Sequence, residues 1–584
     1  MSVDPLTLAV VRGGLEQIAE EMDLTMQRTA FSPVISEAND FANGIYEADN
    51  GEVVAQGRWG LALFIGVMQF TTQAVLRTVD RDDIHEGDIF FVNDPYSGGT
   101  HLMDVGMVKP FFHDGEVFVF LSNRGHWPDI GGMVPGGFAS STTEVYQEGL
   151  RIPPVKLFNR GILNEDLLKF VLANIRVPRE RRGDIQAHLA AFEVGERRLR
   201  KLLNRYGPDT IRACIAELKD RSETQMRSYL DEIPDGLYEH TDHLDNDGIG
   251  HEPLRINLKM TVSGSDAHLD FSGSSPPCQG PMNSVVSAAT SACYLGFRHI
   301  FPEVPVNAGC FKPLTIDIPE STFLNAQLPA PVAGCSSEVS QRVGDVVMGA
   351  LELAVPERGG AGIFGTITNQ SIGGIDEQVG PYVMYMFNGG GYGGHHEGDG
   401  LIYGAPIISV ARSQPVELYE QRYPVRIRKF AIREESAGAG EYRGGFGAII
   451  ETEFTRGVGT ASVIGDRGVF SPRGIHGGGD AANCRIEFIR GDQVYIPRHG
   501  IKDSGIRLDP GDLIRLYTPG GGGYGDPLGR DPIRVAADVR NELIGRETAR
   551  DVYGVVFTGD GLEIDEPATR ERRAELRNAD NQPA

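Results

Sequence analysis

Cysteine is scarce in this chain, and none of it is arranged in pairs. Six thiols (Cys214, Cys278, Cys293, Cys310, Cys335, Cys484) are spread over 584 residues with no Cys-x-x-Cys. That excludes a disulfide framework and a thiolate zinc cluster, and fits buried thiols in a reducing compartment. Long apolar runs are missing as well. The best, 61–70, is about ten residues broken at Gly66 and Gln69, where a membrane span needs ~20. Basic charge is in deficit: 55 Lys+Arg against 80 Asp+Glu gives a formal net charge of −25. A surface this acidic repels phosphate backbones and anionic lipid, so neither nucleic acid nor membrane is an expected partner. Asp4 and Pro5 stand where a basic, then apolar, leader would begin, so the expected location is the cytoplasm. There is no G-x-x-x-x-G-K-[ST] phosphate loop and no G-x-S-x-G nucleophile elbow.

Glycine is what the chain has in excess. Its 75 residues are about 13% of the total, against a usual ~7%, with no Gly-X-Y period. Tight turns and close backbone approaches must follow. The periodicities give an α+β, multi-domain fold, with β-rich N- and C-terminal parts around a helical middle segment. An opening helix is signalled by Asp4 as cap, Pro5 in the first turn, and Leu8, Val11, Leu15, Ile18, Met22 and Met26 at steps of three and four. Gly13 and Gly14 weaken it and are candidates for a close helix contact. Strands are expected at 88–92 and 117–121, and helices at 163–175, 184–206, 285–297, 336–355 and 534–544. A hairpin over 255–272 should turn at Ser263-Gly264. The chain divides into an N-terminal α+β region (1–160), a helical segment (161–235), an α+β middle (236–358), a glycine-rich β-dominated region (359–528) and a charged tail with a short helix (529–584).

Chemistry concentrates where two of these strands end. After 88–92 comes Asn93-Asp94-Pro95-Tyr96-Ser97-Gly98-Gly99-Thr100-His101-Leu102-Met103-Asp104. After 117–121 comes Ser122-Asn123-Arg124-Gly125-His126-Trp127-Pro128-Asp129. Each strand end thus delivers a histidine beside an aspartate, and Ser36-Glu37-Ala38-Asn39-Asp40 adds carboxylates upstream. Imidazole nitrogen with carboxylate oxygen suits Zn, Mn or Fe(II) rather than calcium or Cu(I). Asp, Asn and Gly after strands are also ordinary turn chemistry, and spacing alone leaves both readings standing. A second stretch, Asn388-Gly389-Gly390-Gly391-Tyr392-Gly393-Gly394-His395-His396-Glu397, has glycines able to cradle an anion through backbone N–H groups. His395, His396 and Glu397 could ligate a metal, but for His395 and Glu397 the favoured reading is a packed glycine loop with exposed polar residues, while the loop itself stays open as a site. Cys335 precedes a helix start, where a thiolate can be stabilised, but a buried structural thiol is the favoured reading.

These phrases carry a resemblance. The opening helix, Ile35-Ser36-Glu37-Ala38-Asn39-Asp40, the Asn93–Asp104 stretch, Gly125-His126, Ala437-Gly438-Ala439-Gly440-Glu441-Tyr442-Arg443-Gly444-Gly445 and the glycines after Thr518 resemble the hydantoinase B/oxoprolinase family over about residues 3–528. The resemblance implies a subunit that works beside a hydantoinase A-type ATPase subunit in a hetero-oligomer, expected as a heterotetramer. In N-methylhydantoinase, 5-oxoprolinase and caprolactamase the partner spends ATP to phosphorylate a ring amide oxygen, and the B subunit completes ring opening at a divalent transition metal (Zn, Mn or Fe). Carried over position by position, the metal set falls on Asp40, His101, Asp104 and His126. Glu37 and Asp129 are then expected to orient the histidines, with Glu37 alternatively a base, and Asn388, Gly389, Gly390 and Gly391 to receive the phosphate or imidate end of the intermediate. Two other functions remain open: a subunit of an ATP-dependent ketone carboxylase of the acetone/acetophenone type, and a non-catalytic scaffold for the ATPase.

Overall fold

The computed structural model describes residues 3–405, 407 and 410–580. The chain is α+β. Its first helix, Pro5–Thr29, starts as the sequence requires: the Asp4 carboxylate accepts from the Thr7 N–H at 2.9 Å, and Pro5 needs no partner in the first turn. Leu8, Val11, Leu15, Ile18, Met22 and Met26 form its buried stripe. The expected close contact falls on one glycine of the pair. A Cβ on Gly14 would stand 3.0 Å from Leu202 on the long helix Pro178–Tyr206, whereas Gly13 faces open space.

That helix covers a seven-stranded sheet made of β1 (Phe41–Glu47), β2 (Val53–Gln56), β3 (Ile89–Val92), β4 (Asp104–His113), β5 (Glu116–His126), β6 (Val155–Asn159) and β7 (Ile162–Leu163), in the order β2-β1-β5-β4-β3-β6-β7. Every pairing is antiparallel. The register decides what the sheet edge carries: Phe41 pairs with Gly125, and Asp104 with His126. The start of β1, the end of β5 and the start of β4 therefore meet at one edge.

A second sheet contains the expected hairpin, Leu254–Ser263 with Asp266–Asp270, turning through Gly264 at φ 54°. Helix Ser340–Ala354 packs on it, and helix Val286–Ile300 lies between that helix and Phe64–Thr78. Two further sheets, of four and five strands, are drawn from 369–517 around a core of their own. No helix among the described residues is long and apolar enough to cross a membrane. The C-terminal helices Pro532–Arg540, Arg546–Asp551 and Glu566–Asp580 are tied down rather than loose. Arg530 bonds Asp399 at 2.7 and 2.9 Å and Asp538 at 2.8 Å, over a small core that includes Phe446, Val535 and Tyr553.

The glycine surplus is spent in one place. Segments near 362, 391, 438–445, 479 and 521–523 lie side by side, bonded backbone to backbone: Gly391 N–H to Pro519 O at 3.0 Å, Gly521 N–H to Gly445 O at 2.9 Å, Gly445 N–H to Tyr392 O at 2.8 Å, and Gly522 N–H to Gly362 O at 2.9 Å. A Cβ on Gly521 would sit 1.8 Å from the Tyr392 carbonyl oxygen, and one on Gly391 2.0 Å from that of Gly445. Backbone atoms cannot give way as a flexible side chain does. Gly521→Ala is therefore expected to cost about 3 kcal/mol, the upper end of overpacking. Gly13→Ala, in open helical space, is expected to gain ~1 kcal/mol. Denaturant midpoints of the two variants moving in opposite directions check this.

Candidate metal centre

Asp40, His101, Asp104 and His126 converge at the sheet edge just described. Asp40 immediately precedes β1, and its carbonyl accepts from the His126 N–H at 3.0 Å. Asp104 opens β4 directly across from His126, the last residue of β5, so the pleat puts both on one face. His101 comes from the turn before β4. All four are nearly sealed from solvent, the most exposed being Asp40 at 6%.

The distances are those of a ligand set. His101 Nε2 lies 3.1 Å from Asp104 Oδ1, and His126 Nδ1 lies 3.2 Å from the same oxygen and 3.9 Å from Asp40 Oδ2. Tetrahedral donors at ~2.1 Å from an ion stand roughly 3.4 Å apart. The tautomer points the same way. His101 Nδ1 is 3.0 Å from the Ala333 carbonyl, which can only accept, so Nδ1 carries a hydrogen and Nε2 is the nitrogen that faces Asp104, as a lone pair whenever the ring is neutral. Nε2 and Oδ1 this close in a buried site need a positive charge between them, which a proton on the ring or a bound metal ion supplies. His126 Nε2 and Ser336 Oγ are buried polar atoms without partners among the described residues. The donor set fits a divalent ion of the borderline class.

Without an ion the protein shares its charge unevenly. Burial, reinforced by the charge of Asp104, holds the Asp40 carboxyl well above its ordinary range. Burial also presses on Asp104, but His101 and His126 outweigh it and hold that carboxyl far below. His101 is raised because Asp104 and the Ala333 carbonyl overcome the effect of burial, whereas burial dominates at His126 and lowers it. Asp104 Oδ2 is fixed independently: the Thr100 hydroxyl donates to it, and the Arg124 guanidinium, fully buried, donates to Thr100 Oγ1 at 3.2 Å.

Aromatic rings wall the centre. Tyr385 stacks on His126 with centroids 4.8 Å apart, and Phe138 sits edge-on to His101 at 5.5 Å. The Tyr385 hydroxyl donates to Asn369 Oδ1 at 2.7 Å. The cavity at the cluster, which Ser336, Ser337 and Phe387 also line, is about 20 Å³. That is room for one ion or one water, not for a ring.

Several expected roles go elsewhere. Glu37 ends the short helix Pro33–Ser36 with its side chain exposed, away from the histidines. Asp129 is buried but committed to Arg176, accepting from its N–H at 2.7 Å and its Nη1 at 2.8 Å. Neither carboxylate orients the cluster. The glycine cradle is corrected too: the N–H groups of Gly390 and Gly391 donate to the Gly404 and Pro519 carbonyls, and Asn388 Nδ2 donates to Thr368 O at 2.8 Å, so these donors are already taken by the protein itself. Gly389 packs with a Cβ position 2.7 Å from the Gly404 oxygen. His396 and Glu397 are exposed. Cys335 is buried, and burial pushes its thiol up to about 12, which rules out a resting thiolate. No local pattern marks Phe138 or Tyr385 as part of the site. Ser336 follows directly on Cys335, at the helix start noted for that thiol.

A family model described as Hydantoinase B/oxoprolinase matches residues 4–527. The caprolactamase subunit beta of Pseudomonas jessenii is 37% identical over 98% of this chain and 99% of its own length. The 5-oxoprolinase 1 of Arabidopsis thaliana is 30% identical over 90% of this chain and 42% of its own, much longer, sequence. Among solved structures, the ATP-dependent caprolactamase from Pseudomonas jessenii superposes with a TM-score of 0.90 at 35% identity, covering 98% of this chain and 100% of that one. A nucleotide-free acetone carboxylase superposes at 0.91 with 21% identity, over 99% and 84% respectively, and shares the fold. By a match that runs through nearly all of its length, the chain belongs to the hydantoinase B/oxoprolinase family.

Proposed function

We propose that this chain is the metal-bearing subunit of an ATP-dependent cyclic-amide hydrolase of the hydantoinase/lactamase type. Its substrate is a ring amide whose carbonyl oxygen a partner A-type ATPase subunit has phosphorylated, and the two act as a hetero-oligomer, a heterotetramer. The observation that carries the reading is the buried convergence of His101 Nε2, His126 Nδ1 and Asp104 Oδ1 on one point, in a chain 37% identical to a caprolactamase subunit.

Asp40, His101, Asp104 and His126 would hold a divalent ion (Zn, Mn or Fe). Such an ion supplies Lewis acidity and acidifies water at neutral pH. The protein's own residues supply the rest. Ala333 O fixes the His101 tautomer, and Thr100 turns Asp104 Oδ1 towards both rings. Phe138 and Tyr385 keep bulk water away, which an activated, hydrolysis-prone intermediate requires. Because the cavity is about 20 Å³, a ring enters only when this wall moves.

The test mixes the purified chain with its A-type partner, Mg-ATP and a panel of lactams and hydantoins. ATP consumption matched by ring-opened acid is expected in the mixture, and neither from this chain alone. Ring opening by this chain without ATP, or bicarbonate fixation into a ketone in place of hydrolysis, would overturn the reading.

A further inference from the structure

We infer that Glu148 is the residue that positions His101 for metal binding, acting through the backbone of Val332 and Ala333. The inference rests on the metal-subunit reading above. Glu148 is 1% exposed, and among the described residues none of its hydrogen-bond partners is a cation. Its carboxylate is filled instead by backbone. Oε1 accepts from the Val332 and Ala333 N–H groups, both at 2.9 Å, and from Thr142 Oγ1 at 3.1 Å; Oε2 accepts from Val332 N–H at 3.0 Å. The carbonyl of that same Ala333 takes the His101 Nδ1 hydrogen at 3.0 Å.

The chain of contacts runs from carboxylate to backbone to imidazole, with no flexible side chain between the last two. A metal-binding histidine usually gives its second ring hydrogen to a carboxylate or carbonyl that fixes its tautomer and direction. Here the carbonyl makes the contact, and Glu148 holds the carbonyl still. The segment needs holding. It lies between Pro331, whose carbonyl accepts from Asn283 Nδ2 at 3.1 Å, and the turn Cys335–Val339, and no strand ladder constrains it. A buried carboxylate without a counter-ion is costly, so its retention calls for compensation. Burial pushes the Glu148 carboxyl up to about 7, and a cation bound beside His101 would favour its ionised form.

The experiment compares wild type, Glu148→Gln and Glu148→Ala in three measurements: Zn affinity by chelator competition, the visible spectrum of the Co(II)-substituted chain, and the His101 tautomer in the metal-free protein by 15N-histidine NMR. Zn affinity is expected to fall about tenfold in Glu148→Gln, which keeps Oε1 as an acceptor, and about 100-fold in Glu148→Ala. The Co(II) spectrum should shift, and the fixed Nδ1–H signal of His101 should be lost in Glu148→Ala. A purely structural role would lower thermal midpoints while leaving the affinity and Co(II) spectrum of the folded protein as in wild type, and that result overturns the inference. If Glu148→Ala does not fold, Glu148→Gln decides on the same readouts. If wild type takes up no metal, the metal reading fails by itself, and the tautomer signal still decides whether Glu148 orients His101.

Discussion

Asp104→Ala is expected to strip the chain of its metal and to lower ring opening with the partner at least about a thousandfold. One carboxylate oxygen serves both histidines, at 3.1 and 3.2 Å, so its removal dismantles the set rather than trimming it. Lewis-acid stabilisation is worth several kcal/mol, and each 1.4 kcal/mol is a factor of ten in rate. Asp104→Asn is the sharper variant. It keeps the volume and the contact with Thr100, whose hydroxyl can accept as well as donate, while removing the charge that a divalent ion needs. The folded state should survive and the metal should not. Elemental analysis of wild type beside both variants checks the first half, and product formation by the assembled complex the second. Full metal content in both variants would remove Asp104 from the set.

Much of this centre was legible because it is local. Strands 88–92 and 117–121 were visible from their apolar runs, and turn residues after a strand mark where side chains gather at a sheet edge. β5 runs on to His126, five residues past the expected strand end, because Ser122, Asn123 and Arg124 lie inside the sheet as buried polar positions, which alternation does not flag. The parts that were not legible come from far along the chain. Glu148 meets Ala333 across 185 residues and does so through main-chain N–H groups, which carry no residue-type signal. Proximity in sequence suggested Glu37 and Asp129 for the same task, but one points to solvent and the other is used up by Arg176. The glycine-rich stretch misled for a related reason. Glycine frees the backbone to approach something, and composition does not say whether that is an anion or another backbone. Here it is the latter.

The second large effect is expected at Asp466, which lies outside the metal centre yet supports its wall. Asp466 is fully buried between Lys502 Nζ at 2.8 Å and Arg342 Nη2 at 2.7 Å. Its own N–H donates to Thr366 Oγ1 at 2.9 Å, and Thr366 donates to the buried Glu338 carboxylate. Glu338 accepts from Asn369 Nδ2 at 3.0 Å, Asn369 accepts from the Tyr385 hydroxyl, and Tyr385 stacks on His126. Asp466→Ala leaves Lys502 charged in the interior without its ion-pair partner, with Asp245 acting on it only from further away, which costs about 3–5 kcal/mol. Asp466→Ala with Lys502→Met removes both charges, and Arg342 keeps Asp242 at 3.2 Å, so the double variant should recover about 1–3 kcal/mol of the loss. The dependence on pH has a definite sign. Burial raises the Asp466 carboxyl, but Lys502 and then Arg342 outweigh it and hold it below the ordinary range. Its contribution is therefore complete above the unfolded value of about 3.9 and is lost as pH falls through the lower folded value. Denaturant midpoints of the single and double variants at neutral pH test the pairing. If the double variant is no more stable than Asp466→Ala, the unpaired lysine is not the source of the loss, and the damage lies in the Thr366–Glu338 contacts that hold Tyr385 against the histidine.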